Sequence, residues 1–217
     1  MSSYATHPAV SSVLHRLEEI SIIPVITIDN PAFAVPLGRA LVAGGLPAAE
    51  VTFRTSCAAE CIARMTAEVP ELLVGAGTVL DVPCTQAALE AGAQFIVSPG
   101  LAEDSVAYCV DRNIPVVPGL STPSELMRAL RLGVTHVKLF PAELSGGTAA
   151  LHALAGPFPQ VKFMCTGGIK PTNAPDYLAA PNVFCIGGTW VAPASVVSAG
   201  DFATVERLVR EAATLIP

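Results

Sequence analysis

The chain has 217 residues, of which 52% are hydrophobic and 14% are charged. This balance excludes a disordered chain, because a disordered chain has too little apolar surface to bury a core. The net charge of -6 argues against nucleic acid as a main partner, although a small anionic ligand is held by local groups and stays compatible with it.

The six cysteines predict reduced thiols rather than disulfides. They lie at positions 57, 61, 84, 109, 165 and 185, with no Cys-x-x-Cys pair, and a chain of this size needs no covalent staples. No apolar stretch is long enough to span a bilayer, and the N-terminal MSSYATHP lacks the features of a signal peptide. We therefore expect a cytoplasmic protein with no membrane partner.

Short β-rich segments alternate with helical segments along the whole chain, and no linker separates them, which predicts a single domain over residues 1–217. The predicted strands cover residues 22–28, 49–54, 72–78, 95–99, 115–119, 136–141, 161–167 and 183–188. Segments such as 31–43 and 121–133 have helical spacing, and the second begins with Ser/Thr caps and ends on glycine. Two more helices, at about 8–20 and 201–215, flank the strands.

Eight strands with intervening helices indicate a parallel sheet, and their nearly continuous apolar character fits burial on both faces. An open doubly wound sheet also satisfies this pattern, but the count of eight favours closure. The predicted fold class is α/β, a compact (β/α)8 TIM barrel with an extra N-terminal helix and a C-terminal helix. Active sites of such barrels form at the C-terminal ends of the strands.

Lys138 stands inside an apolar run, VKLFPAE, although lysine is among the residues least often buried. A closed barrel has no edge strand that exposes it. The alternation of strand two puts Glu50, Thr52 and Arg54 on one face. A structural Lys138–Glu50 pair is one interpretation, but such pairs rarely add stability. The other is chemical: desolvation and Arg54 favour a neutral lysine that attacks a ketone, while Glu50 moves protons.

Two Gly-Gly pairs beside threonines follow strands seven and eight, as Thr166-Gly167-Gly168 and Gly187-Gly188-Thr189. Glycines let backbone N–H groups approach an anion, and this is the usual phosphate position in a (β/α)8 barrel. Either pair alone indicates no more than a tight turn, but together they predict a phosphate site. Arg54 is a two-pronged donor suited to a carboxylate.

A lysine, a carboxylate, an arginine and a phosphate cradle together predict a Schiff-base aldolase that acts on a phosphorylated keto acid. Histidines and acidic residues nowhere have metal-ligand spacing, which disfavours a metal-dependent aldolase. Two alternatives stay open: an isomerase or epimerase of phosphorylated sugars, in which Lys138 only binds charge, and a silent metabolite-binding protein. His136 is interpreted as a core residue at the barrel floor.

The sequence resembles the 2-keto-3-deoxy-6-phosphogluconate (KDPG) aldolase family, which also acts as 4-hydroxy-2-oxoglutarate (KHG) aldolase. The resemblance spans nearly the whole chain and rests on the following motifs: ALVAGG (40–45), EVTFRT (50–55), VGAGTVL (74–80), SPGL (98–101), VKLFPAE (137–143), TGGI (166–169) and CIGGTW (185–190). It implies a homotrimer of (β/α)8 barrels, a lyase of the Entner-Doudoroff pathway. It further implies that the lyase uses a covalent Schiff base, with neither metal nor other cofactor.

The resemblance also implies a role for each site residue. Lys138 stands at the position of the Schiff-base lysine and Glu50 at that of the proton-transferring glutamate. Further positions contact the substrate: Arg54 and Thr78 at the pyruvate carboxylate, Pro99, Phe140 and Thr166 around the reacting carbons, and Gly167, Gly168, Gly188 and Thr189 at the phosphate. Two departures are a cysteine at position 165, where the family often has proline, and Thr189, where it often has serine. Arg54 favours the gluconate-type enzyme over its galactonate-type relative.

Overall fold

Parallel β-strands form the centre of the protein in a computed structural model that describes residues 4–217. Within these residues there are nine strands, and every pairing between neighbours is parallel. The strands are β1 (Ile22–Ile26), β2 (Ala48–Thr52), β3 (Leu73–Gly77), β4 (Ile96–Val97), β5 (Val116–Val117), β6 (Gly119–Leu120), β7 (His136–Leu139), β8 (Lys162–Thr166) and β9 (Val183–Gly188).

The barrel closes between β5 and β6, which together replace the fifth predicted strand. The strand order is β5-β4-β3-β2-β1-β9-β8-β7-β6, so the two ends of the sheet are β5 and β6, which are consecutive in the chain. Pro118 separates them and has no N–H to donate, but its carbonyl accepts a hydrogen bond from the Lys138 N–H at 2.8 Å. The predicted strand 115–119 therefore corresponds to two short strands, and the prediction of a (β/α)8 TIM barrel is confirmed.

Helices surround the barrel and connect its strands. They are α1 (Pro8–Ile20), α2 (Ala34–Gly44), α3 (Ala58–Glu68), α4 (Val82–Glu90), α5 (Glu103–Asp111), α6 (Pro123–Arg131), α7 (Gly147–Ala155), α8 (Ala174–Leu178), α9 (Ala194–Ser198) and α10 (Phe202–Ala213). The predicted terminal helices correspond to α1 and α10. Helix α6 begins with a capping box in which Thr122 and Glu125 satisfy each other's backbone N–H groups.

Burial explains the apolar strands. Every residue of β1, β2 and β3 is buried, because helices cover one face of the sheet and the other face lines the barrel interior.

All six cysteines are free thiols; Cys57 and Cys84 are partly exposed and the other four are buried. In the described part of the chain, no helix is long and apolar enough to cross a membrane.

His136 begins β7 and packs edge-on against Phe184, with ring centroids 5.0 Å apart. Burial, reinforced by the charge of Lys162, lowers the pKa of His136 to about 4, although Glu18 acts in the opposite direction. His136 itself is partly exposed, so it lies at the edge of the core rather than inside it as predicted. The folded protein thus holds this imidazole neutral at a pH where the unfolded chain protonates it.

We expect His136 to make the protein less stable as the pH falls from about 6.5 to about 4. Its pKa is lower in the folded state, so acid favours the unfolded chain, which binds the proton first. His136→Gln removes this titration, and the decline in the free energy of unfolding over this pH range becomes shallower. Denaturant titrations at several pH values measure it, with exposed His152→Gln as the control. An unchanged pH slope in His136→Gln contradicts the expectation.

Candidate active site

An open pocket lies at the carboxyl ends of the strands. Its lining comes from strands and loops around the barrel, as expected when parallel strands end together. The lining residues are Val25, Glu50, Thr52, Arg54, Thr78, Pro99, Lys138, Phe140, Thr166, Gly167, Gly168, Ile169, Gly187 and Thr189. Ten of the eleven predicted site residues are among them; the exception is Gly188.

Lys138 and Glu50 form a buried ion pair at the bottom of this pocket. The Lys138 Nζ donates to Glu50 Oε1 at 3.0 Å, and the two residues are 5% and 1% exposed. Glu50 Oε2 is also buried, and it has no hydrogen-bond partner among the described residues. One carboxylate oxygen therefore holds the lysine while the other is available to a ligand or a water molecule.

Neighbouring strands leave room for this pair. Glu50 lies opposite Gly75 in the β2–β3 register, and Gly77 follows two residues later on the same face. A Cβ on Gly77 lies 2.3 Å from Glu50 Oε1, so only glycine fits there without displacing the carboxylate. Lys138 Nζ also lies 5.4 Å from the centroid of the Phe140 ring. The tight fit fixes the glutamate against the lysine.

Arg54 and Thr78 lie beyond the ends of their strands. Strand β2 ends at Thr52, so Arg54 belongs to the following turn rather than to the predicted strand, yet it lines the pocket and is exposed. Thr78 follows β3 with a left-handed backbone (φ 59°), a conformation that costs a β-branched residue about 1–3 kcal/mol. Both side chains approach the pocket from its mouth, above the ion pair.

The glycine segment after β8 supplies another part of the lining. Gly168 and Ile169 both line the pocket, and their N–H groups donate to no protein group within residues 4–217. Thr166 Oγ1 is buried and likewise has no partner in that range. Unpaired N–H groups and a hydroxyl on one wall are suited to an anion.

Of two adjacent glycines, the structure places Gly187 in the pocket lining rather than the predicted Gly188. A Cβ on Gly187 lies 2.3 Å from Thr166 Oγ1. Gly188 is buried and faces the ring of Trp190 instead. Val25 and Ile169 also line the pocket and were not predicted: Val25 is an apolar residue in an apolar strand, and Ile169 is an apolar residue in the loop after β8, so neither carries a chemical signal.

Thr52 was placed on the correct face of strand two but was given no role. It lines the pocket, and its hydroxyl donates to the Ile26 carbonyl at 3.0 Å. That hydrogen bond ties β2 to β1 directly beside the ion pair. Thr52 therefore supports the floor of the pocket.

Metal-ligand geometry is not found in the described chain: no three His, Cys, Asp or Glu side chains of residues 4–217 lie together as a possible metal site. The polar groups of the pocket are instead one amine, one carboxylate, one guanidinium, hydroxyls and backbone N–H groups. This set is suited to a substrate with a reactive carbonyl and anionic ends.

Comparison with known proteins assigns the family. The model of the KDPG and KHG aldolase family matches residues 13–208, which is most of the chain. The chain belongs to the KDPG and KHG aldolase family. The resemblance inferred from its motifs is thereby confirmed, and with it the class of enzyme, a carbon–carbon lyase.

Individual relatives match the sequence of this KDPG/KHG aldolase family member over most of their lengths. The 2-dehydro-3-deoxy-phosphogluconate aldolase of Pseudomonas aeruginosa is 51% identical over 194 residues, which are 89% of this chain and 88% of the relative. The KHG/KDPG aldolase of Escherichia coli K12 is 50% identical over 191 residues, 88% and 90% of the two chains.

One similar solved structure contains a reaction intermediate. The KDPG aldolase of Legionella pneumophila, with pyruvate captured at low pH as a covalent carbinolamine intermediate, superposes with a TM-score of 0.87. It is 38% identical, and the match covers 94% of this chain and 97% of that one. The captured carbinolamine in that protein is a step of Schiff-base chemistry.

Proposed function

We propose that this protein is a class I aldolase that cleaves 2-keto-3-deoxy-6-phosphogluconate to pyruvate and glyceraldehyde 3-phosphate, and 4-hydroxy-2-oxoglutarate to pyruvate and glyoxylate. The observation that carries the proposal is the buried Lys138 Nζ, 3.0 Å from Glu50 Oε1 at the bottom of the pocket. A purely structural ion pair at this depth rarely repays its desolvation. A nucleophilic amine with an adjacent base uses the same two groups for chemistry.

Schiff-base formation starts with proton transfer from the Lys138 ammonium to Glu50. The neutral amine then attacks C2 of the keto acid and gives a carbinolamine. Protonated Glu50 returns its proton to the carbinolamine hydroxyl, which leaves as water and yields the iminium. Direct contact supports this exchange, because the two buried groups lie 3.0 Å apart and pass the proton along one hydrogen bond.

Carbon–carbon cleavage uses the same glutamate. Glu50 takes the proton of the C4 hydroxyl, directly or through a water molecule at the unpaired Oε2. The C3–C4 bond breaks, its electron pair moves into the iminium to form an enamine, and the aldehyde leaves. Protonation of the enamine at C3 and hydrolysis then release pyruvate and the free lysine.

The remaining site residues bind the two ends of the substrate. Arg54 and Thr78, at the mouth above the ion pair, hold the carboxylate, where the guanidinium gives paired hydrogen bonds. Pro99, Phe140 and Thr166 enclose the reacting carbons. The phosphate lies against the N–H groups after Gly167, with Gly168 and Thr189 beside it, while Gly188 shapes the segment from behind.

The experiment follows the release of pyruvate by the purified protein from both substrates, with pyruvate coupled to NADH oxidation. We expect turnover of both, with no dependence on added divalent metal and no inhibition by a chelator. If neither substrate yields pyruvate, the aldolase function is contradicted and the metabolite-binding alternative is favoured. Interconversion of phosphorylated sugars without cleavage favours the isomerase.

We also propose that the chain acts as a homotrimer in the cytoplasm, within the Entner-Doudoroff pathway. The family resemblance supports the trimer. Light scattering of the purified chain measures its mass.

A further inference from the structure

Gly168, which lines the pocket wall, is supported from outside by a carboxylate side chain. Its backbone is left-handed (φ 83°), and a Cβ there lies 2.5 Å from Glu143 Cγ. The Glu143 N–H also donates to the Gly167 carbonyl at 3.1 Å. Glu143 is not among the residues that line the pocket. It therefore contacts the backbone of Gly167 and Gly168 without lining the pocket itself.

The Glu143 side chain is held in place although it lies outside the barrel core. The hydroxyl of Tyr177, a side chain only 1% exposed, donates a hydrogen bond to Glu143 Oε1. Gly147 packs against this hydrogen bond: a Cβ at position 147 lies 3.3 Å from the Tyr177 hydroxyl and 3.4 Å from Glu143 Oε1. A side chain larger than that of glycine at position 147 therefore crowds both groups. A charged side chain on a surface loop ordinarily samples several rotamers. Here the hydroxyl of a buried tyrosine holds the carboxylate through a hydrogen bond.

A second contact from the same helix holds the other side of the turn. The Asn173 side-chain carbonyl accepts from the Lys170 N–H at 2.7 Å, and its amide donates to the Gly168 carbonyl at 3.3 Å. Asn173 is the N-cap of α8 and Tyr177 lies one helical turn later. Helix α8 thus fixes residues 168–170 from both sides, through Asn173 directly and through Tyr177 and Glu143.

Charge explains why the carboxylate needs a fixed position. A free carboxylate close to a bound phosphate repels it, and the repulsion is largest where water is excluded. The Tyr177 hydroxyl holds Glu143 Oε1 at α8, and neither residue is among those that line the pocket. In that place the side chain supports the turn without presenting its charge to the anion.

We propose that Glu143 and Tyr177 are positioning residues that set the preference of this enzyme for phosphorylated over unphosphorylated keto acids. They keep the Gly168 and Ile169 N–H groups aimed at the phosphate, and they do not contact the reacting carbons. The proposal rests on the proposed aldolase function. Asn173 acts with them on the same turn.

The test compares kcat/KM for 2-keto-3-deoxy-6-phosphogluconate with kcat/KM for 4-hydroxy-2-oxoglutarate. In Tyr177→Phe and Glu143→Ala, the ratio of the two falls about tenfold, through a higher KM for the phosphorylated substrate, which corresponds to the loss of one charge-assisted hydrogen bond. Glu143→Gln keeps the side-chain shape and an acceptor for Tyr177, so it retains the ratio within about threefold. Matched controls are Tyr108→Phe and Glu211→Gln, which lie on α5 and α10.

The outcomes distinguish failure of this proposal from failure of the aldolase assignment. An unchanged ratio in Tyr177→Phe, or an equal fall for both substrates, overturns the positioning role, since a merely structural defect affects both substrates alike. Calorimetry with inorganic phosphate gives a readout independent of turnover, and we expect the Kd to rise about tenfold in Tyr177→Phe. Equal phosphate affinity overturns the positioning role even if the wild type releases no pyruvate.

Discussion

Lys138→Met is expected to lower kcat/KM for the phosphorylated keto acid by about 10⁴-fold or more, because loss of a covalent nucleophile costs far more than loss of a binding charge. Methionine matches the length and unbranched shape of lysine at a position that is 5% exposed. The variant thus removes the amine and little else from the pocket. The coupled pyruvate assay measures the effect.

The matched control is Lys162→Met. Lys162 begins β8, its Nζ donates to the Pro181 carbonyl at 3.0 Å, and it does not line the pocket. We expect its activity to stay within about twofold of the wild type, as for most surface substitutions. If Lys138→Met keeps more than about one hundredth of the wild-type activity, Lys138 supplies only charge or proton transfer. That result contradicts the Schiff base.

The effect of Lys138→Met on folding stability must be measured separately from its effect on catalysis. Removing the lysine leaves Glu50 buried without its partner, and breaking a buried pair from one side costs about 3–5 kcal/mol. The double variant Lys138→Met/Glu50→Gln removes both charges, so its free energy of unfolding should recover much of this loss. Its activity should stay as low as that of the single variant.

Glu50→Gln is expected to lower kcat by about 10²–10⁴-fold, the usual effect of removing a general acid–base group. Glutamine has the same shape, and its carbonyl oxygen still accepts from the Lys138 Nζ, so the pocket keeps its geometry. The amide cannot take the proton that the carboxylate takes at each step. Formation of the covalent pyruvate adduct should persist at a reduced rate.

Kinetics of both substrates check this expectation, and the exposed Glu211→Gln serves as the control. A defect confined to KM, with kcat unchanged, indicates that Glu50 binds substrate without moving protons. Complete loss of adduct formation together with a lower melting temperature indicates that Glu50 only holds the fold. Either result removes the proton-transfer role.

The pattern of apolar and polar residues along the chain was sufficient to predict the barrel and the pairing of Lys138 with Glu50. Apolar strands alternating with helices indicated a parallel closed sheet, and a lysine inside one of those strands became significant once no edge strand was left to expose it. The alternation of strand two then aligned Glu50 with Arg54. The structure brings Lys138 and Glu50 within 3.0 Å, across 88 residues of sequence.

Residues outside regular strands were harder to place. Arg54 was predicted on a strand that ends at Thr52, because the alternation of residue types continues into the turn while the hydrogen-bond ladder between strands does not. The choice between Gly187 and Gly188 depends on the pleat at the last residues of β9 and on the ring of Trp190. Tyr177 and Glu143 are 34 residues apart, and their contact follows only from the docking of α8.

The central claim is that Lys138 forms a Schiff base with the keto acid, and reductive trapping tests it most directly. The protein is incubated with pyruvate and borohydride, digested, and examined by mass spectrometry. We predict one stable pyruvate adduct per chain, on the peptide that contains Lys138, with none on the peptides that contain Lys162 or Lys170. No adduct, or an adduct on another lysine, contradicts the claim.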